Sequence, residues 1–153
     1  MTSPIEKLRE YGYELPAPKA PVANYLPVTR TGNLLYVSGQ VSSDERGVVS
    51  GRLGDTMNVV QGANAAELCA ISILAQVQAF GVPLEQIKSV LKLTVLVASS
   101  PDFTEQHLVA NGASDLLATV LGDKGKHARA AFGVASLPRG AAVEIDAVIE
   151  VEG

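Results

Sequence analysis

Gly125-Lys126-His127-Ala128-Arg129 opens onto an apolar run, Ala130-Ala131-Phe132-Gly133-Val134-Ala135. The run breaks at Leu137-Pro138-Arg139-Gly140 and resumes as Ala141-Ala142-Val143-Glu144-Ile145-Asp146-Ala147-Val148-Ile149-Glu150-Val151. Both arms read as strands, and the Pro-Arg-Gly breaker between them predicts a terminal hairpin. One ion, Arg129, stands near the start of the first arm, and an acid, Glu144, opens the second. A guanidinium or carboxylate among alanines and valines costs solvation free energy unless it finds a partner. That partner could be the other ion or a small charged ligand.

Working outward, Leu34–Val41 reads as a strand apolar on both faces, preceded by a first strand over Asn24–Arg30 and a turn at Thr31-Gly32-Asn33. Ser42–Gly54 is a polar loop or irregular hairpin. Between Val59 and Phe80, apolar or small residues recur at Val59, Ala63, Ala66, Ala70, Ile73, Val77 and Phe80. Steps of three and four give a helix with one buried stripe, stopped by Gly81-Val82-Pro83. Ile87–Ala98 alternates Leu91, Leu93, Val95 and Val97 against Val90, Lys92, Thr94 and Leu96, which suits a central strand. A second helix starts at Ser100 or Asp102, reaches Val120 and ends at Gly122. At the other end, Ser3, Pro4 and Glu6 form a capping-box start for a short helix to about Tyr11. Leu15–Pro21, with three prolines, reads as an extended arm.

The order is ββαβα followed by ββ, a single sheet with two main helices. Two helices cover only one face of such a sheet, so the other face must be buried elsewhere. Composition agrees. The 153 residues suit one domain and are 47% hydrophobic but only 18% charged, a surplus of apolar surface that points to a subunit interface. The formal net charge of −4 offers no field to recruit nucleic acid. No apolar run of about 18 residues suggests a membrane span, and the N-terminus lacks a secretory core, so a cytoplasmic location is expected. The single cysteine, Cys69, sits mid-helix and reads as a buried inert thiol. His107 and His127 fall on different elements without a cysteine cluster, which argues against a metal site. Gly47, Gly51 and Gly54 have the wrong spacing for a nucleotide loop.

Two blocks together resemble the Rid family, the YjgF-type enamine/imine deaminases, some of which carry an endoribonuclease L-PSP label. Ala128-Arg129, Leu137-Pro138-Arg139-Gly140-Ala141 and Glu144-Ile145-Asp146-Ala147 fill the family's C-terminal pattern. Gly32-Asn33-Leu34-Leu35-Tyr36-Val37-Ser38-Gly39-Gln40-Val41 resembles its N-terminal G-N-x-(I/L/V)-x-x-S-G-Q. The resemblance covers residues 22–152 and implies an α+β, chorismate-mutase-like fold: a single mixed β-sheet with two helices on one face, the sheets packed together in a homotrimer. It divides the chain into an N-terminal helix and Pro-rich arm, 1–21, and one domain, 22–153. It also implies cofactor-free hydrolysis of reactive 2-enamine or 2-imine carboxylic acids to 2-keto acids and ammonia, in clefts between subunits.

The resemblance assigns roles to particular residues. Arg129 would anchor the substrate carboxylate in bidentate geometry, which a lysine would not provide; the alternative is a structural ion pair with Glu144 or another acid. Glu144 would hold or activate the hydrolytic water, work that suits a partly desolvated carboxylate; the alternative is an exposed strand acid, as for Asp146 and Glu150. Tyr25 would close the pocket, or serve an interface instead. Gly39 would shape the pocket, with Ser38 and Gln40 structural. The chain departs from the pattern at His127, where many members have proline, and at Ala130 and Ala131, where members often carry Ser, Thr or Cys. The backbone N–H of Ala131 could still meet the carboxylate. Two other functions stay open: a non-catalytic trimer that binds small carboxylates, and an endoribonuclease, which the acidic charge and the lack of a basic, aromatic patch disfavour.

Overall fold

The computed structural model describes residues 2–18, 20, 21 and 23–153. Met1 and Lys19 of the expected extension, and Val22 at the expected domain start, lie outside them. The elements are α1 (Pro4–Tyr11), β1 (Val28–Thr31), β2 (Leu34–Val41), β3 (Ser43–Asp44), β4 (Gly47–Val48), α2 (Val59–Ala79), β5 (Ile87–Ala98), α3 (Gln106–Leu121), β6 (Ala128–Val134) and β7 (Val143–Val151). A five-stranded sheet runs β1-β2-β7-β5-β6, and β3 and β4 form a small separate hairpin. Only β5 and β6 are parallel, so the sheet is mixed. The fold is the expected α+β class.

Each helix begins where local chemistry dictates. Ser3 accepts from the Glu6 N–H while Glu6 reaches back to the Ser3 N–H, and Gly12 ends α1 in a left-handed conformation. Asn58 and Gln61 make the same reciprocal cap on α2. The second long helix starts later than its sequence suggests. Phe103 N–H closes a turn onto Ser100 O, and the Gln106 side chain caps Phe103 O at 2.8 Å, so α3 begins at Gln106. Helices α2 and α3 lie side by side on one sheet face, and α1 packs on α3. A Cβ on Gly112 would overlap the carbonyl of Ala63, so a glycine is what lets α2 and α3 come this close.

The core fills the space between the helices and that face. Leu35, Val37, Leu93, Val95, Val97, Ile145 and Ile149 meet Ala66, Ala70, Ile73, Leu74, Leu116 and Leu117, all essentially inaccessible to solvent. Phe80, expected in the α2 stripe, is exposed instead, because it caps the helix rather than continuing it. In β5 a register shift between Val90 and Lys92 buries Val90 and exposes Leu91, reversing the expected alternation at that end. On the face without helices, Tyr36 and Phe132 stand 47% and 46% exposed.

The terminal arms correct the sequence reading most. They do not form a hairpin, since β5 lies between them, pairing in parallel with β6 and antiparallel with β7. The Leu137–Gly140 turn carries the chain across the end of β5. A twelve-residue strand apolar on both faces needs partners along both edges, and the two arms supply one each.

Candidate functional site

That crossover decides where the two ions go. Arg129 is paired with Leu93, which pairs with Ala147, so all three face the helices. Glu144 is paired with Leu96, which also pairs with Phe132, so these face away. The offset is odd, and the period-two alternation of a strand puts the two ions on opposite faces. They form no ion pair. Among the described residues the salt bridges are Arg9–Glu14 and Lys126–Asp123.

Glu144 opens onto a cavity of about 570 Å³. Its walls come from the N-terminal arm, α2, β2 and the turn before β7. Tyr25, Gly39 and Glu144, three of the sequence-predicted residues, line it together. Gly39 sits in an irregularity of β2, where the register against β7 shifts between Val37 and Gln40. A Cβ there would overlap Glu144 Oε2 and lie 3.0 Å from its Cδ, so the bare backbone is what makes room for the carboxylate. Ser38 and Gln40 hold this bulge. Ser38 Oγ donates to Leu26 O at 2.7 Å, its N–H bonds Pro27 O at 2.9 Å, and the Gln40 amide donates to Ser38 O at 3.0 Å. The Ser38 bonds also bring Tyr25 to the cavity. Tyr25 is 48% exposed and lies in a bend before β1, not within a first strand as expected. The strand begins only at Val28, where the Ser38 hydroxyl and N–H have taken up the carbonyls of Leu26 and Pro27.

The electrostatics at Glu144 suit proton transfer. Burial first, and the neighbouring Asp146 charge second, raise its pKa above the ordinary carboxylate value. The carboxylate accepts no hydrogen bond from the described residues, and no buried polar atom among them is left unpaired. Its oxygens are therefore accessible and uncommitted.

Arg129 is the opposite case. Its Nη1 donates to Ser114 Oγ and its Nη2 to the carbonyl of His107, both at 3.0 Å, which tie β6 to α3. His127 extends the chain of bonds, with Nδ1 2.6 Å from Gly125 O and Nε2 2.8 Å from Ser114 Oγ. A carbonyl only accepts, so Nδ1 carries the proton and Nε2 accepts from the Ser114 hydroxyl. Ala131 is half-buried on the same face as Arg129, packed against the core and paired with Val95. Within one chain, neither Arg129 nor Ala131 reaches the cavity.

The sequence reading missed one cation that does. Arg139 lines the cavity, and its side chain has no hydrogen-bond or ionic partner among the described residues. It also holds a left-handed backbone at φ 59°, the one non-glycine with positive φ among the described residues. The signal was its place in Leu137-Pro138-Arg139-Gly140, which reads as a breaker. Ser114 gave no signal at all. Cys69 is fully buried in α2, where burial pushes its thiol pKa well up, and Sγ contacts Val143 O at 3.5 Å. Among the described residues no three His, Cys, Asp or Glu side chains gather as metal ligands, and no helix is long and apolar enough to cross a membrane.

Known proteins resemble the chain over nearly its whole length. It is 49% identical over 146 residues to Protein TCP17 of Trypanosoma cruzi, spanning 94% of this chain and 91% of that one. It is 34% identical over 130 residues to the RutC family protein y4sK of Sinorhizobium fredii, spanning 85% and 89%. The crystal structure of Atu1372 from Agrobacterium tumefaciens, a protein of unknown function, matches with a TM-score of 0.91 at 51% identity, spanning 97% and 92%. The sequence model described as Endoribonuclease L-PSP matches residues 16–151, and the chain belongs to that family, the YjgF/Rid family.

Proposed function

We propose that the protein is a cofactor-free cytoplasmic hydrolase of 2-imino and 2-enamino acids, releasing 2-keto acids and ammonia. The observation that carries this reading is Glu144: a half-buried, unpartnered carboxylate of raised pKa, facing a cavity beside a glycine that makes room for it. Water next to Glu144 adds through oxygen to C2 of the imine while its proton passes to the carboxylate and on to nitrogen. Glu144 then takes the hydroxyl proton of the resulting carbinolamine and passes it to the amine nitrogen; the C–N bond breaks, ammonia leaves and the C=O forms. An enamine first takes a proton at its β-carbon to become the imine.

The substrate carboxylate calls for a cation. Arg129 fills that role if a homotrimer, with the helix-free faces of Tyr36 and Phe132 packed together, also brings the β6 edge of a neighbouring copy to the cleft and its guanidinium exchanges α3 for the substrate. The bonds of Arg129 to α3 favour a second reading, in which it is a structural tie and the cavity binds small carboxylates without turnover. The acids around the cavity, Glu14, Asp44, Glu45 and Glu144, disfavour a phosphodiester chain as substrate.

The test is keto-acid release from imines made in situ, comparing the natural protein with Glu144→Gln. Acceleration by the natural protein, reduced about 10²- to 10⁴-fold in the variant, is expected. Binding of keto acids without any acceleration would replace the enzyme with the binding protein.

A further inference from the structure

The reactive centre occupies only a corner of its cavity. Much of the rest is walled by apolar residues, Pro16 and Pro21 of the arm and Leu68, Ile71 and Ala75 of α2 among them. The arm is held at both ends. Tyr13 Oη donates to Glu67 Oε2 at 2.6 Å, fixing the arm's start to α2, and Ser38 holds Leu26 and Pro27 at its finish. The three-carbon skeleton of the smallest imino acid would leave most of about 570 Å³ unfilled. The open volume is continuous with Glu144, and the charged Glu14, Asp44, Glu45 and Arg139 also line it.

From this cavity we infer that the preferred substrates are imino acids with bulky apolar side chains, seated between the arm and α2. The inference rests on the hydrolase reading and adds the specificity to it. Each methylene seated in a matched apolar wall is worth about tenfold or more in kcat/KM.

The experiment generates imines from leucine, phenylalanine and alanine with an amino-acid oxidase and catalase, and follows their hydrolysis by semicarbazide trapping. The expected result is a kcat/KM for the leucine and phenylalanine imines at least about tenfold above that for alanine. An equal or higher rate for alanine overturns the specificity and leaves the hydrolase standing. No acceleration of any imine removes the hydrolase and the specificity with it. Ser72→Phe is the second arm. Ser72 lines the cavity on α2, and a phenyl ring there should bring the leucine-to-alanine ratio down about tenfold. A ratio unchanged in a variant that melts normally places the selectivity elsewhere and refutes the seat.

Discussion

Arg129 and Glu144 stand fifteen positions apart, on the two strands that flank β5, and are solvated in contrary ways. Arg129 commits two donors to α3. Glu144 commits nothing, although it is half-buried and its charge is unfavourable there. A half-buried ion that the protein satisfies contributes to architecture. One the protein leaves unsatisfied is kept available for something outside the chain, and its cost is tolerated because the rest of the core is well packed.

The largest effect that would break this contrast comes from Gly39. Gly39→Ala puts a methyl where Glu144 Oε2 lies, so the carboxylate must swing away while β2 keeps its pairing. Misplacing a catalytic group by about 1 Å costs on the order of 100-fold in rate. Imine hydrolysis by the variant should fall by about that factor, with a melting temperature lowered by only a few degrees. Full activity in the alanine variant would mean that the position of Glu144 does not matter.

Arg129→Ala should have a smaller and mixed effect. Removing the guanidinium strips Ser114 Oγ and the His107 carbonyl of a charged donor, worth about 1–2 kcal/mol of stability at this partial exposure. In a chain of this size that is a fall of roughly 2–4 °C in melting temperature per kcal/mol. If a neighbouring copy's Arg129 also holds the substrate carboxylate, KM rises about tenfold or more as well. Ser114→Ala separates the two effects, because it loosens β6 from α3 without removing the cation. An unchanged KM in Arg129→Ala, with the stability loss present, leaves the arginine a tie and turns attention to Arg139, the cation already in the cavity.

How far the sequence revealed this arrangement depended on the range of the signal. Local signals carried well: the Ser3 and Asn58 caps, the glycine stops, the three- and four-residue steps of α2 and the two-sided apolarity of β5 place their elements within a few residues. The failures needed contacts distant in sequence. Pro138-Arg139-Gly140 looks the same whether it closes a hairpin or crosses over β5, and only the pairing hunger of β5 decides. The face of Arg129 follows from that choice, so it was equally hidden. Gly39 was legible because a glycine inside an apolar strand is itself anomalous. Ser114 was not, since a serine on a helix becomes a partner of Arg129 only once β6 docks.

The subtlest consequence of the contrast is in stability against pH. The folded state raises the pKa of Glu144, mainly by burial and then through Asp146, above its unfolded value. Between those two values the native protein binds more protons than the unfolded chain, so this group's contribution makes stability fall as pH rises through that window. Above the window the ionised carboxylate imposes a steady cost; below both values it imposes none. Glu144→Gln abolishes the cost, so urea unfolding at pH 7 should find the variant at least as stable as the natural protein, with any advantage disappearing near pH 4. The difference is small because half of the side chain remains in water, which screens it. A variant clearly less stable than the natural protein at pH 7 would mean that the carboxylate has a favourable partner in the folded assembly. Glu144 would then be an architectural ion like Arg129, and the asymmetry on which the hydrolase reading depends would be lost.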